Sequence, residues 1–228
     1  MEKRGSHVGI FLSFIVFITF LVFLYSIIAP RLETQKEKEF ILENLKKEVV
    51  DKTSSELIKA TVTHDEDTLN LYNCLKVDNN AVGIEGLKAI VKDAGDSIID
   101  SGFSSDSLII DWTNNEKAFF KIYYSGLFTD SAKSAGSCDI PEISSIQTNK
   151  YVFESKIEEY ITIGDFSDLN IPNRINFDIQ FIDAGNGKTG KFDELKEVST
   201  AIYADMLAVQ YVDSQANIKT GFINIKVW

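Results

Sequence analysis

Histidine is nearly missing from this 228-residue chain; only His7 and His64 occur. His7 lies at the edge of a long apolar run, so a Ser-His-Asp site would have to use His64, and no nucleophile-elbow glycines accompany it. Basic charge is also in deficit. Lys and Arg number 23 against 34 Asp and Glu, a formal net charge of −11. The first 30 residues carry +1 (Glu2, Lys3 and Arg4), so the remainder carries −12. Nucleic-acid affinity depends on Lys and Arg neutralising phosphates. No local basic patch offsets the deficit, so nucleic acid is not an expected partner. The acidic balance also keeps a domain soluble and away from anionic lipid. The chain has no Asn-x-Ser/Thr sequon and no internal repeat.

Cysteine is limited to Cys74 and Cys138. Joined, they would staple a long loop, worth ~3–5 kcal/mol in the chain-entropy picture, in keeping with a compartment outside the membrane. Unjoined, they are two unrelated buried thiols. The sequence leaves both readings open.

Charge is absent altogether between Gly5 and Pro30. Val8 to Ala29 is apolar apart from Gly9, Ser13, Thr19 and Ser26. At about 1.5 Å per residue, about 20 residues cross a ~30 Å bilayer core, and this run is long enough. A secretory h-region is shorter, roughly 7–15 residues, and ends in a small-x-small cleavage site. Here the exit reads Ser26-Ile27-Ile28-Ala29-Pro30-Arg31, where Ile28 and Pro30 make a poor site. The segment therefore reads as a retained span. In lipid a single segment can pair its backbone only as a helix, which Pro30 can kink or restart at the exit. A strict Lys/Arg count would place the C-terminal side in the cytoplasm, but long domains translocate largely regardless of local charge. The short tail with its compact Lys3-Arg4 pair reads as the retained cytoplasmic end, so the expectation is a single-pass protein with an extracytoplasmic C-terminal domain.

Lys3-Arg4-Gly5 followed directly by an apolar helix resembles the class III leader of type IV pilins and pseudopilins, including archaeal pilin-like proteins. The resemblance covers about the first fifty residues. It implies that a prepilin peptidase cuts on the cytoplasmic side between Gly5 and Ser6. It also implies that the apolar stem stays on the mature protein and continues as an amphipathic helix against a β-rich head. Self-assembly, or assembly with other pilin-like subunits, would follow. At the fifth mature position, where many bacterial members carry glutamate, this chain has Ile10.

The expected organisation is a short basic leader (1–5), a transmembrane helix (6–30), an amphipathic helix extending the stem (31–53) and a single acidic, β-rich domain (54–228). The fold class is α+β with mainly antiparallel strands. Leu32 to about Lys52 places Phe40, Ile41, Leu45, Val49 and Val50 on one helical stripe. Strand candidates are Ala60–Thr63, Leu69–Val77, Lys88–Lys92, Ser107–Trp112, Ala118–Ser125, Asn176–Ile182, Thr200–Val212 and Ile218–Trp228, separated by Asn/Asp/Gly clusters. "SLIIDWTNNEKAFFKIYYS" and "AIYADMLAVQYVDSQANIKTGFINIKVW" read as hairpins. "TNKYVFESKIEEYITIGDFSDLNIP" reads as one or two short helices, and Gly126–Ile140 as an exposed polar loop.

The motifs that invite chemistry have plainer explanations. "GNGKTGK" has P-loop spacing, but Phe192 stands where the Ser/Thr metal ligand belongs, and Gly-Asn-Gly-Lys is a good hairpin turn. "HDEDT" (His64 to Thr68) matches no ligand spacing, and "DAGNG" lacks the alternating acids of a calcium loop. Cys–His chemistry would need Cys74 or Cys138 beside His64, to which nothing in the sequence points. Phe119, Phe120, Tyr123 and Tyr124 interleave along one strand pair as core and rim. No catalytic residue, metal or cofactor is assigned, and the expectation is a non-enzyme. Three readings are carried forward: a pilin-like surface subunit, a monomeric anchored ectodomain that binds a ligand or partner, and an anchored hydrolase with a cleft around His64.

Overall fold

The computed structural model describes residues 6–64, 72–112, 118–129, 131–134, 136–163, 171, 175–185, 187–191 and 202–228. A single helix, α1 (Ser6–Thr53), runs unbroken through Pro30 into the head. The predicted stripe is present but rotated. Ile41, Leu42, Leu45 and Val49 are buried, whereas Phe40 is 66% exposed. Nine residues are two and a half turns at 3.6 per turn, so Phe40 points away from Val49 and Leu42 takes its place.

Among the described residues twelve strands follow: β1 (Ser54–His64), β2 (Cys74–Asp78), β3 (Lys88–Lys92), β4 (Ile98–Ile99), β5 (Ser101–Ser104), β6 (Ser107–Asp111), β7 (Ala118–Ser125), β8 (Glu142–Phe153), β9 (Phe177–Asp183), β10 (Gly187–Lys191), β11 (Tyr203–Val212) and β12 (Ile218–Val227). Two short helices interrupt them, α2 (Asn79–Val82) and α3 (Glu154–Ile163). Nine strands form one sheet in the order β10-β9-β12-β11-β8-β1-β7-β3-β4, and β2-β6-β5 form a second. Among the described residues, every pairing between these strands is antiparallel except the short β11–β8 contact, where Tyr211 and Val212 lie beside Val152 and Phe153.

Register assigns the faces, because successive side chains on a strand alternate. Ser54 pairs with Val152 and Ile58 with Tyr124, so Val152, Ile58 and Tyr124 share one face of the large sheet. Two cores lie on that face. In one, Ile41, Leu42, Leu45 and Val49 of α1 and Ile157 and Ile161 of α3 cover Val152, Phe181, Tyr211 and Ile225. In the other, Leu75, Val77, Leu108 and Ile110 of the small sheet cover Ala60, Val62, Phe120, Ile122 and Tyr124. On the opposite face a smaller cluster gathers Leu57, Tyr123, Phe128, Phe153, Val212 and Ala216. Of the four interleaved aromatics, Phe120, Tyr123 and Tyr124 are core and Phe119 is rim.

The structure corrects two readings of the chain. Ser107–Ser125 is not a hairpin: β6 is the middle strand of the small sheet, and β7 lies between β1 and β3 in the large one. Leu108, Ile109 and Ile110 are buried in succession, so β6 buries both of its faces and cannot be an edge strand beside β7. The supposed turn at 113–117 lies outside the described residues. Thr148–Phe153 is strand rather than helix, because the first residues of β1 pair with it; the helix begins only at Glu154. The Gly126–Ile140 loop is largely exposed among the described residues, as expected, and it is also tied down. Phe128 is buried, Phe103 N donates to Ser131 O (2.8 Å), Lys133 N to Phe103 O (2.9 Å) and Lys76 N to Asp139 O (2.7 Å).

Candidate functional site: an uncovered stem joined to a docked head

Among the described residues, one segment, Gly9–Ala29, is long and apolar enough to cross a membrane, and none of it is buried within the protein. Its large side chains, from Ile10 through Phe14, Phe17, Phe20 and Phe23 to Ile28, are exposed. Leaving such a surface in water is unfavourable by roughly 25 cal/mol per Å². Two of its hydroxyls bond back to the helix: Thr19 Oγ1 donates to Ile15 O (2.8 Å) and Ser26 Oγ to Val22 O (2.9 Å). This back-bonding lessens the cost of placing those two groups in hydrocarbon.

The second half of α1 is fixed to the head by both apolar and charged contacts. Lys46 bridges Glu43 (2.7 Å) on its own helix and Asp205 on β11. The Asp205 carboxylate is the main cause of the raised Lys46 pKa, and Lys46 in turn lowers that of Asp205. Lys38 sits 5.6 Å over the Tyr203 ring, and Lys150 on β8 reaches Asp51 (3.0 Å). The stem and head are thereby one continuous body joined through α1.

Of the sequence-predicted site residues, Lys3, Arg4 and Gly5 lie outside the described residues, and Ser6 opens α1. Cys74 and Cys138 are brought together as a disulfide, with Cα atoms 4.7 Å apart across a separation of 64 residues. The bridge ties the end of the 126–140 segment to β2, where Asp139 lies beside Leu75. With both sulfurs in the bridge, neither is a thiol for Cys–His chemistry. His64 ends β1, buried, its Nδ1 3.6 Å from Asp139 Oδ2 and its Nε2 without a hydrogen-bond partner. The other residues of "HDEDT", Asp65 to Thr68, lie outside the described residues. Gly185 N donates to Asp183 Oδ1 (3.0 Å) in the β9–β10 turn, and the chain then continues as strand β10. The residues that a P-loop would use to cradle phosphate, Gly187–Lys191, are thus strand, and the residues after Lys191 lie outside the described residues.

No protein-family model, curated protein or solved structure matches this chain. The chain therefore stands on its own geometry: one apolar helix fit for a single membrane pass, fused to a β-rich head.

Sequence reasoning missed one polar hub. Asp213, buried at the β11–β12 turn, accepts from Gln215 N (2.9 Å), Asn217 N (2.8 Å) and Lys219 Nζ (2.8 Å). Burial alone would raise its pKa, but these donors outweigh burial and hold it below the usual carboxylate value. Buried Lys92 on β3 donates to Asn217 Oδ1 (2.6 Å) and lies 5.4 Å from the Tyr123 ring, and burial lowers its pKa. "DSQAN" had signalled a turn, but its buried lysine partner comes from far away in sequence.

Proposed function

We propose that this chain is a pilin-like or pseudopilin-like surface subunit, held in the membrane by its stem, with the acidic head outside the cytoplasm. In this reading Lys3, Arg4 and Gly5 are recognised by a prepilin peptidase, and the mature chain begins at Ser6. The stem then leaves lipid for the packed core of an assembly, and no substrate chemistry is involved. The observation that supports the reading best is the single helix α1, bare over Gly9–Ala29 and buried in the head core from Ile41 to Val49. Such a helix lets stem packing set the position of the head. A photo-crosslinking side chain at Phe17, which is exposed in mid-stem, tests assembly directly. Stem-to-stem adducts in native membranes are expected; adducts to lipid alone would refute it.

A second reading is favoured by Ile10. It is apolar and exposed at the fifth mature position, where the resemblance would supply an acid. In this reading the chain is an uncleaved signal-anchored ectodomain that binds a ligand or partner without polymerising.

A further inference from the structure

The large sheet is split between β8 and β11. The two strands run parallel and pair only at their C-terminal ends, Tyr211 beside Val152 and Val212 beside Phe153. Over the rest of their lengths, among the described residues, β8 pairs with β1 alone and β11 with β12 alone. Each therefore presents an unpaired edge to the notch between them. Such an edge is a template for another chain, and proteins usually blunt it. Most other edges here are blunted. Asp139 covers β2, with Lys76 N donating to Asp139 O (2.7 Å) and Asp139 N to Cys74 O (3.0 Å). Ser131 and Lys133 cover β5 in the same way. At one end of the large sheet β4 is only Ile98–Ile99, and at the other β10 carries Lys188 and Lys191. On β11 the Met206 N–H is taken by the Asp205 carboxylate (2.7 Å). From Ser145 to Asn149, β8 has no charge and no proline, and every residue is exposed. Its bulge lies before this stretch, where Ile143 and Ser145 face Val62 and Thr61.

The edge sets the class of its occupant. A row of backbone N–H and C=O groups is matched by the row on another extended polypeptide, and antiparallel pairing is slightly the more stable. Neighbouring side chains set the pattern. Ile146 and Thr148 lie on the same face as Val152, the face that α1 covers, and Ile146 is 45% exposed. Leu207 and Val209 continue that face on β11. Ser145, Gln147 and Asn149 point to the opposite face, beside Thr61, Lys59 and Leu57. A strand laid along β8 thus meets apolar neighbours on one face and polar ones on the other. The head is strongly acidic, so an acidic segment is repelled. We infer that the Ser145–Lys150 edge binds, by antiparallel strand addition, an extended segment of another protein that alternates apolar and polar residues and carries no net negative charge. α1 is tied to both arms of the notch, through Asp51 to Lys150 and through Lys46 to Asp205, which keeps the edge open in the free protein. The inference is independent of whether the stem assembles, because the edge lies in the head.

The test is hydrogen exchange read by mass spectrometry on the full chain in lipid nanodiscs. The probe is a peptide copying Ile58–Thr63 with a lysine added at each end. That sequence has the required alternation and comes from the strand that pairs with the other edge of β8. Saturable protection of Ser145–Lys150 is expected, with β1 itself remaining protected. Two further versions of the peptide carry N-methyl groups on alternate amides. One set of amides faces β8, so one version should lose the protection although its side chains are unchanged. On β8, successive N–H groups point to opposite sides, so one of Gln147→Pro and Thr148→Pro removes an outward donor and spares the β1 ladder. The variant that keeps its fold by circular dichroism should bind the peptide about tenfold more weakly, the loss of one good hydrogen bond. No protection, protection indifferent to both methylated peptides, full binding by the folded proline variant, or protection gained by displacing β1 would each overturn the inference. Protection of the same edge on concentrating the chain without peptide would also overturn it, because a second copy would then be the occupant.

Discussion

Reducing the Cys74–Cys138 disulfide should lower the melting temperature of the head by about 8–16 °C. The bridge spans 64 residues. In the chain-entropy picture, closing a loop of that length removes about 4 kcal/mol of freedom from the unfolded chain at 25 °C. For a protein of this size each kcal/mol moves the midpoint roughly 2–4 °C. The native state should change little on reduction. Phe103–Ser131, Lys133–Phe103 and Lys76–Asp139 backbone bonds hold the same segment along the small sheet without the sulfurs. The assay is thermal melting of the detergent-solubilised protein by circular dichroism, with and without a phosphine reductant, beside a Cys74→Ser/Cys138→Ser double variant. Reduced wild type and the double variant should melt together, well below the oxidised protein. A shift under about 3 °C would refute the reasoning, because the bridge would then constrain only a segment that is already ordered in the unfolded state.

Other perturbations separate the remaining parts of the account. Leu45→Ala, which empties a buried position between α1 and the large sheet, should destabilise by about 2–5 kcal/mol, whereas Phe40→Ala on the exposed side should stay within about 0.5 kcal/mol; chemical denaturation in detergent reads both. Asp213 has a folded pKa below the ordinary aspartate value of 3.8, so its stabilisation is fully present above that value and is lost as pH falls through the folded pKa. Asp213→Asn should therefore be less stable than wild type at pH 6, with the gap narrowing as pH falls below about 4; a gap that widens on acidification would contradict this. A Cβ at Gly102 would collide with the Ser131 carbonyl, so Gly102→Ala should cost about 1–3 kcal/mol and raise hydrogen exchange at Lys133.

The elements that were legible in sequence are those whose signal is local. Lys88–Lys92 and Ala118–Ser125 were bounded by turn residues and match β3 and β7. The β11–β12 hairpin follows from the alternation of Ile223, Ile225 and Val227 around "DSQAN". The apolar run before Pro30 fixed the stem by length alone. What escaped depends on distant partners. Thr148–Phe153 precedes a Glu/Lys-rich stretch that reads as helix, and pairing with Ser54–Ile58 and with Tyr211 and Val212 makes it strand. "SLII" followed by a turn cluster suggested a hairpin, but consecutive burial on both faces sends β6 to another sheet. The disulfide was open because sequence does not say which distant loop lies beside β2. The closeness of "DNN" to the Ser105-Asp106 turn was invisible for the same reason: the two meet only once β2, β6 and β5 have paired.

The most direct measurement of the central claim is the intact mass and N-terminal sequence of the protein extracted from its native membrane. The account predicts a mature chain beginning at Ser6 with Gly9–Ala29 retained. A chain that still begins at Met1 or Glu2 would contradict it and leave an uncleaved anchor carrying an acidic, β-rich head.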